Sequence, residues 1–196
     1  MFAYIKGSLE IKTNNYVVID VNGVGYKIFM SQKGIETLDE IGNIVKVYTY
    51  YYVREDNISL YGFTTKEELR MFELLLSVSG IGAKSAITML SAISPSEFAI
   101  SVISNDTSKL TKVPGIGNKT AARIILELKD KLKTEQAIEK DEKTEEVVSK
   151  QEINEEALAA LQVLGYNKKE VEKILEKFDS SKMTVEEIIK AALSYF

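Results

Sequence analysis

Ser79-Gly-Ile-Gly-Ala-Lys-Ser-Ala86 recurs 35 residues later as Pro114-Gly-Ile-Gly-Asn-Lys-Thr-Ala121. A valine precedes each copy, and a stretch with the apolar spacing of a helix follows it. A helix, a Gly-Ile-Gly turn and a second helix form a helix-hairpin-helix motif. The repeat therefore predicts two such motifs in tandem, and with them an all-α domain over residues 64–133.

The repeated turn has the composition of a phosphate-binding site. Two glycines permit positive φ angles and let a phosphate approach the backbone. The helix that follows offers unpaired N–H groups and the positive end of its dipole. Lysine in the first turn of that helix adds a charge, and Ile81 and Ile116 are expected to anchor the turns in the core. No base edge is read, so binding is expected to be independent of sequence. The predicted phosphate-binding residues are Gly80, Gly82, Lys84, Gly115, Gly117, Lys119 and Arg123.

Other interpretations of the turn compete with this one. A single Gly-x-Gly between helices is usually only a tight turn, but two copies with lysine at the same position favour phosphate binding. The second copy also looks like part of a nucleotide-binding P-loop. That interpretation is rejected because the first glycine of the P-loop spacing is missing, Asn118 separates glycine from lysine, and no strand precedes the turn. Neither copy fits the G-x-G-x-x-G pattern of a dinucleotide site.

Composition excludes several classes of chemistry. The 196 residues contain no Cys and no His, which removes thiol nucleophiles, disulfides, the commonest general base and the commonest zinc ligand. No cofactor and no metal are therefore expected. The net charge of −4 is unevenly spread, because residues 63–133 carry ten basic and seven acidic side chains, a local excess of +3 that suits a nucleic-acid surface. The N-terminus lacks the pattern of a signal peptide, so the protein is expected to be cytoplasmic.

Residues 1–63 have the composition of a β domain. Three runs rich in β-branched and aromatic residues, 16–21, 24–29 and 44–53, predict strands. Asn22-Gly23 is a strong hairpin signal between the first two. Five or six short strands in a segment of this length predict a small closed barrel such as an OB-fold. An SH3-like barrel is the alternative.

The last part of the chain predicts a linker and a small helical domain. Residues 134–152 are acidic with almost no apolar periodicity, which is typical of a flexible linker; a solvated extension of the preceding helix is the alternative. Residues 153–196 show three amphipathic segments and predict a three-helix, UBA-like domain. Its first helix carries more apolar surface than so small a core needs, which indicates a partner-binding surface. The residues are Leu161, Leu164 and Tyr166, and completion of the core is the alternative for them.

Arg54-Glu55-Asp56-Asn57 lies between two predicted strands and places adjacent acids in a loop. Charged hairpin loops are usually only solvated. Two carboxylates are nevertheless unusual on a protein that handles DNA, because they repel phosphates strongly wherever water is partly excluded. The loop is therefore a candidate for keeping two strands apart.

In their order along the chain, these features resemble the RuvA family of bacterial DNA-junction proteins. The resemblance rests on Val53-Arg-Glu-Asp56, on Leu60-Tyr-Gly-Phe63, on the tandem Gly-Ile-Gly turns and on Leu161-Gln-Val-Leu-Gly-Tyr166. It covers the whole chain except the linker. It implies an α+β multidomain fold with an OB-fold barrel, a tandem helix-hairpin-helix domain and a C-terminal three-helix domain.

The resemblance also implies a function. The family binds four-way (Holliday) junction DNA on the flat face of a homotetramer, and two tetramers can enclose the junction as an octamer. Glu55 and Asp56 match the family's acidic pin at the crossover. The C-terminal domain matches the one that recruits the hexameric ATPase motor RuvB, and the RuvC resolvase is a further expected partner. One departure is Asn118, where some members carry lysine, so the second turn is expected to hold its phosphate less strongly.

Two further function classes remain open at this point. Some glycosylases use a similar Pro-Gly-Ile-Gly hairpin with a catalytic aspartate downstream, and Asp130 lies in roughly that region. It falls among lysines on a predicted helix surface, which favours a structural role, and the chain is expected to be a non-catalytic subunit. The other class is a simple module that binds duplex DNA without regard to its structure.

Overall fold

The structure is a computed structural model that describes residues 2–55, 57–138, 151–178, 180 and 183–196; at residues 131–138 and 151–153 only the backbone is described. The chain divides into two compact units. The first comprises residues 1–76 and 81–92, and the second comprises residues 77–80 and 93–196. The first Gly-Ile-Gly turn therefore lies where the chain passes between the two.

The first unit contains a closed five-stranded barrel. Its strands are β1 (Tyr4–Lys12), β2 (Tyr16–Val21), β3 (Val24–Met30), β4 (Ile44–Val53) and β5 (Ile58–Phe63), and helix α1 (Gln32–Glu36) follows β3. Around the barrel the order is β1, β2, β3, β5 and β4, and β4 pairs back to β1. The β3–β5 pair is parallel and the other pairs are antiparallel. The predicted OB-fold is confirmed.

Alternating apolar residues fill this barrel. Successive side chains of a strand point to opposite faces, so Val17 and Ile19 of β2 meet Val45 and Val47 of β4 in the interior, where all four are buried. Gly62 is also required by packing, because a Cβ at this position would lie 2.4 Å from Cγ2 of Ile28 on the neighbouring strand β3. The period of two in the sequence thus determines which face of each strand is the core.

The turn between β2 and β3 is the predicted Asn-Gly hairpin. Asn22 and Gly23 both have positive φ, 54° and 87°, and Val21 pairs with Val24 directly beneath them. Two successive positive φ angles define the turn type that matches the twist of the flanking strands. The Gly23 N–H also donates to the Asp20 carboxylate over 3.0 Å.

Helices make up the rest of the chain. They are α2 (Lys66–Leu76), α3 (Ala83–Ala92), α4 (Pro95–Ile103), α5 (Thr107–Thr111), α6 (Asn118–Ile138), α7 (Gln151–Val163), α8 (Lys168–Leu175) and α9 (Val185–Leu193). Capping boxes start α4 at Ser94 and α9 at Thr184, where the hydroxyl accepts from the third residue and that residue's carboxylate accepts from the cap. Within the described residues no single helix is long and apolar enough to cross a membrane; α3 and α4 meet that criterion only as a bent pair.

An aromatic cluster joins α2 to the barrel within the first unit. Phe72 of α2 is fully buried, and its ring lies 4.9 Å from Phe63, 5.2 Å from Tyr61 and 5.4 Å from Tyr50, between ring centroids. Tilted and edge-on aromatic pairs at these distances add to the stabilisation from burial alone. The first helix of the tandem is therefore held directly on β4 and β5.

The C-terminal helices belong to the second unit. Helices α7 and α9 pack against each other and against α4, and α8 packs on both. Helix α7 ends at a glycine cap: Gly165 has a φ of 81°, and the N–H of Tyr166 donates to the carbonyl of Leu161 over 3.1 Å. Of the segment predicted as a linker, residues 134–138 continue α6 and residues 151–152 begin α7, whereas residues 139–150 lie outside the described residues.

Candidate nucleic-acid interface

The two Gly-Ile-Gly turns have the same backbone plan. Gly80 and Gly115, the first glycine of each turn, adopt positive φ angles of 80° and 83°. Gly82 and Gly117 do not, so each turn uses the left-handed conformation only at its first glycine. A Cβ added at Gly82 or Gly117 would nevertheless meet no atom within 4 Å. The second glycine therefore leaves open space over the backbone, which is the room that a phosphate oxygen needs.

Each turn is anchored from below by the isoleucine between its glycines. Ile81 and Ile116 are 7% and 5% exposed, and the valines at the start of the turns are 2% exposed. The alternation of buried Val and Ile with exposed Gly gives each turn one face in the core and one face towards solvent. The predicted anchoring is confirmed in both copies.

The helix after each turn begins directly after the second glycine, whose carbonyl accepts the first helical hydrogen bond. The carbonyl of Gly82 accepts from the Ala86 N–H over 3.0 Å, and the carbonyl of Gly117 accepts from the Ala121 N–H over 2.9 Å. N–H groups that precede this first helical bond have no partner within the helix and point along its axis. Lys84 and Lys119 are exposed at the second position of α3 and α6. Each turn thus combines backbone donors, a helix dipole and a cation.

The first turn receives side chains from α6 that the sequence prediction did not foresee. The N–H of Ser79 donates to Oε2 of Glu127 over 3.0 Å, and Nη1 of Arg123 donates to the carbonyl of Ser79 over 3.4 Å. The same Nη1 lies 3.3 Å from the position of a Cβ on Gly80. Arg123 was predicted as a phosphate-binding residue, and the structure places its guanidinium at the first turn. Glu127 was missed, although a spacing of four residues puts both side chains on one face of a helix.

The second turn is closed by its own backbone. Pro114 stands at the position of Ser79 and has no N–H to donate. The Val113 N–H donates to the carbonyl of Leu110 over 3.2 Å, and the Ile116 N–H donates to the carbonyl of Val113 over 3.0 Å. Asn118, at the position of Ala83, is exposed.

The acidic loop is a tight hairpin between β4 and β5. The N–H of Arg54 donates to the carbonyl of Asn57 over 2.8 Å, and the N–H of Asn57 donates back over 3.4 Å, so only two residues form the loop. Nε of Arg54 donates to the Tyr52 hydroxyl over 3.0 Å and its guanidinium lies 5.2 Å from that ring. Glu55 is exposed at the tip, and Asp56 lies outside the described residues. A short, paired loop holds its tip more rigidly than a long one.

The predicted apolar surface of the C-terminal domain is not exposed. Leu161 and Leu164 are fully buried and Tyr166 is 5% exposed, with its ring 3.8 Å from that of Phe196. The prediction that these residues offer a free surface is wrong, and the alternative that they complete the core is confirmed. The reason is geometric: the leucines share the inward face of α7, and the glycine cap turns the chain so that Tyr166 returns to the same core.

Asp130, the aspartate compared with that of the glycosylases, lies on the surface of α6. The neighbouring Lys129 donates to the last carbonyl of α4, that of Ile103, over 2.8 Å. Among the described residues no group of three or more Asp, Glu, His or Cys side chains is arranged to hold a metal ion. Lys129 therefore stabilises a helix end.

Comparison with known proteins matches the chain in three consecutive parts. Residues 1–62 match the family model described as RuvA N terminal domain, residues 72–130 match a SAM-like helix-hairpin-helix tandem, and residues 152–195 match RuvA, C-terminal domain. Their order is that of the barrel, the two turns and the last three helices.

Similar full-length proteins carry one name. A protein of Acetivibrio thermocellus called Holliday junction branch migration complex subunit RuvA is 54% identical over 196 residues, covering 98% of this chain and 97% of its own length. Proteins of the same name from Ruminiclostridium cellulolyticum and Clostridium perfringens are 47% and 44% identical, each with 98% of both chains covered. With relatives this similar over nearly its whole length, and with its domains in the same order as the matching family models, the chain belongs to the RuvA family.

Proposed function

We propose that this chain is the non-catalytic DNA-binding subunit of a branch-migration complex. It binds four-way junctions without regard to sequence, holds them open, and recruits an ATPase motor of the RuvB type. The observation that carries the proposal is the pair of Gly-Ile-Gly turns, each buried on its isoleucine, open above its second glycine and followed by a helix with an exposed lysine. The name shared by the relatives supports the junction as substrate.

Each turn is suited to one stretch of DNA backbone. A phosphate above the second glycine would accept from the first N–H groups of α3 or α6, in the positive field of the helix end. The ammonium group of Lys84 or Lys119 adds a Coulomb attraction that does not depend on the base. Arg123, at the first turn, places a further cation there. Such contacts fix position on the duplex and carry no sequence information.

The acidic loop supplies selection for an open junction. In a homotetramer with fourfold symmetry, four copies of Glu55 and Asp56 would place eight carboxylates near the centre of the DNA-binding face. The cations outside attract the duplex arms, and the central anions repel phosphates. A continuous duplex would have to lay phosphates across that centre, whereas an open junction would not. The two-residue hairpin supports this role because it keeps Glu55 at an exposed tip.

The remaining partners follow from family membership. We propose a homotetramer, or an octamer of two tetramers, that presents the C-terminal domain to the RuvB motor, with the RuvC resolvase as a further partner. The three apolar residues first assigned to motor binding build the core that supports this domain. A chain truncated after Lys133 is expected to bind junction DNA still and to fail to support motor-driven migration.

A gel shift comparing a synthetic four-way junction with linear duplex, together with the mass of the free protein, tests the central proposal. Preference for the junction by a tetramer is the expected result. No preference would leave a module that binds any duplex.

The double variant Lys84→Ala/Lys119→Ala tests the turns as phosphate sites. Log K falls as log salt concentration rises, and the variant is expected to make this fall less steep by about 1.8, at about 0.9 per lost phosphate contact. Lys169→Ala/Lys173→Ala on α8 is the matched control, because it removes the same charge from exposed positions outside the turns. An unchanged slope and affinity in the first variant would exclude the turns as the binding site.

Neutralising the acidic loop tests its role separately. Glu55→Gln/Asp56→Asn is expected to strengthen binding to linear duplex and to reduce the preference for the junction, most clearly at low salt where screening is weak. Junction binding itself is expected to remain. If the preference at low salt does not change, the loop is only a solvated turn.

A further inference from the structure

The backbone N–H and C=O of Ser79 are both hydrogen-bonded to side chains on one face of α6. Its N–H donates to Glu127 over 3.0 Å and its carbonyl accepts from Arg123 over 3.4 Å. Ser79 immediately precedes Gly80, whose positive φ turns the chain into the phosphate-binding segment. A loop residue bonded through both backbone groups to a single rigid helix has little freedom to reorient.

The acidic member of this pair is the informative one. A carboxylate close to a surface that binds phosphates weakens that binding by Coulomb repulsion. Glu127 nevertheless accepts from the loop backbone at the first turn and is only partly exposed. This position makes sense if Glu127 strengthens phosphate binding by orienting the turn, and if this gain is larger than the loss from its repulsion of the phosphate.

The second turn shows why such a device is needed at only one of the two sites. Pro114 replaces Ser79, so the ring restricts φ at this position and no N–H needs a partner. At the α3 positions that correspond by the repeat to Arg123 and Glu127, the chain has Thr88 and Ala92. The second copy therefore lacks the side chains for an equivalent contact and has a proline in place of the residue that would receive it.

We propose that Glu127, with Arg123, is a positioning residue that orders the first Gly-Ile-Gly turn for phosphate binding. This clamp, defined as Arg123 and Glu127 acting on the backbone of Ser79, makes the first phosphate site depend on the helix of the second hairpin. The N–H of Ser79 is used by Glu127, so the phosphate is bound by the N–H groups that follow it. The proposal rests on the proposed function, because it assigns the turn as a DNA contact.

The test compares two substitutions that remove the same charge. Glu127→Gln keeps an acceptor oxygen for the Ser79 N–H, whereas Glu127→Ala does not. Positioning predicts that Glu127→Ala weakens junction binding about tenfold, in the range of a hydrogen bond to a charged group. It also predicts that the dependence of log K on log salt concentration becomes less steep by about 0.9, because one phosphate contact is lost. Glu127→Gln is expected to bind at least as tightly as the unchanged protein. If Glu127 acted only by repulsion, both variants would bind more tightly, and this result would overturn the proposal.

A readout on the free protein separates the clamp from the DNA-binding assignment. Hydrogen exchange at the Ser79 amide is expected to accelerate in Glu127→Ala and not in Asp130→Asn, which removes an exposed acid from the same helix. Unchanged exchange would refute the clamp. Accelerated exchange with an unchanged salt slope would keep the contact but refute its role in binding. Arg123→Lys serves as a second variant should Glu127→Ala fail to fold, and is expected to accelerate the same amide. A protein that binds no junction DNA, yet shows the predicted exchange, would refute the proposed function and leave the clamp intact.

Discussion

The two Gly-Ile-Gly turns reach one backbone shape by different means. The first glycine of each has nearly the same φ, and the isoleucine of each is buried to a similar degree. Yet the first turn is bonded to side chains of α6, while the second is closed by its own backbone and a proline. Repetition in the sequence therefore predicts the shape of a site, and it does not predict what holds that shape.

The shared part of the plan, burial of the isoleucine, carries the largest expected effect. Ile81→Ala and Ile116→Ala are each expected to lower the free energy of unfolding by about 2–5 kcal/mol, since both leave a cavity in a packed core. Because the two are 7% and 5% exposed, their effects are expected to be similar. Ile44→Ala, at a position 61% exposed, is the control and is expected to change stability by no more than about 0.5 kcal/mol. Chemical denaturation measures all three, and a much smaller loss at one turn would show that the anchors are not equivalent.

The first glycines are expected to differ, and this sharpens the comparison. Gly80→Ala and Gly115→Ala each force a side chain into the left-handed region, at about 1–2 kcal/mol. Gly80→Ala also places its Cβ 3.3 Å from Nη1 of Arg123 and disturbs that hydrogen bond, for about 1 kcal/mol more.

Thermal or chemical unfolding of the two variants measures the difference directly. Gly117→Ala is the control, since its φ lies outside the left-handed region and its Cβ meets nothing within 4 Å. Equal losses for Gly80→Ala and Gly115→Ala would show that Arg123 contributes nothing to the first turn.

Proline in the second turn is expected to have the smallest effect. Pro114→Ser leaves the turn's backbone hydrogen bonds in place and raises the entropy of the unfolded chain, which lowers stability by about 0.4–1 kcal/mol. Ser79→Pro is the reciprocal change and is expected to be more damaging, because it removes the N–H that donates a hydrogen bond to Glu127. Chemical unfolding of the two variants measures which one lowers the free energy of unfolding more. If Pro114→Ser were the more destabilising of the two, the second turn would depend on its proline more than the first depends on the clamp.

Local patterns predicted most of the secondary structure for identifiable reasons. Asn22-Gly23 closes its hairpin because both residues tolerate positive φ. Gly165 ends α7 for the same reason, and Thr184 with Glu187 caps α9 through bonds that span only three residues. In that box the Thr184 N–H and hydroxyl hold the pKa of Glu187 below its usual value, so its contribution is lost as pH falls through that lowered pKa. Such features depend on a few adjacent residues.

Sequence reasoning fell short where the answer depended on residues far apart in the chain. The apolar residues of the C-terminal domain were expected on its surface, and they are buried, because Tyr166 packs on Phe196 at the other end of the domain. Arg123 was named as a phosphate-binding residue without a partner, and only the structure shows that its guanidinium lies at the first turn. In both cases the sequence identified the type of residue correctly, but it did not identify the residue that each one contacts.

By itself, the sequence determined most of the strands, several helix ends, the two turns and the family, because each depends on residue type and short-range spacing. Only the tertiary structure decided which side chains meet across those elements. Ser79 and Glu127 are 48 residues apart, and nothing in their local sequence marks them as partners. Both residues belong to the second unit, and its packing brings them within hydrogen-bond distance.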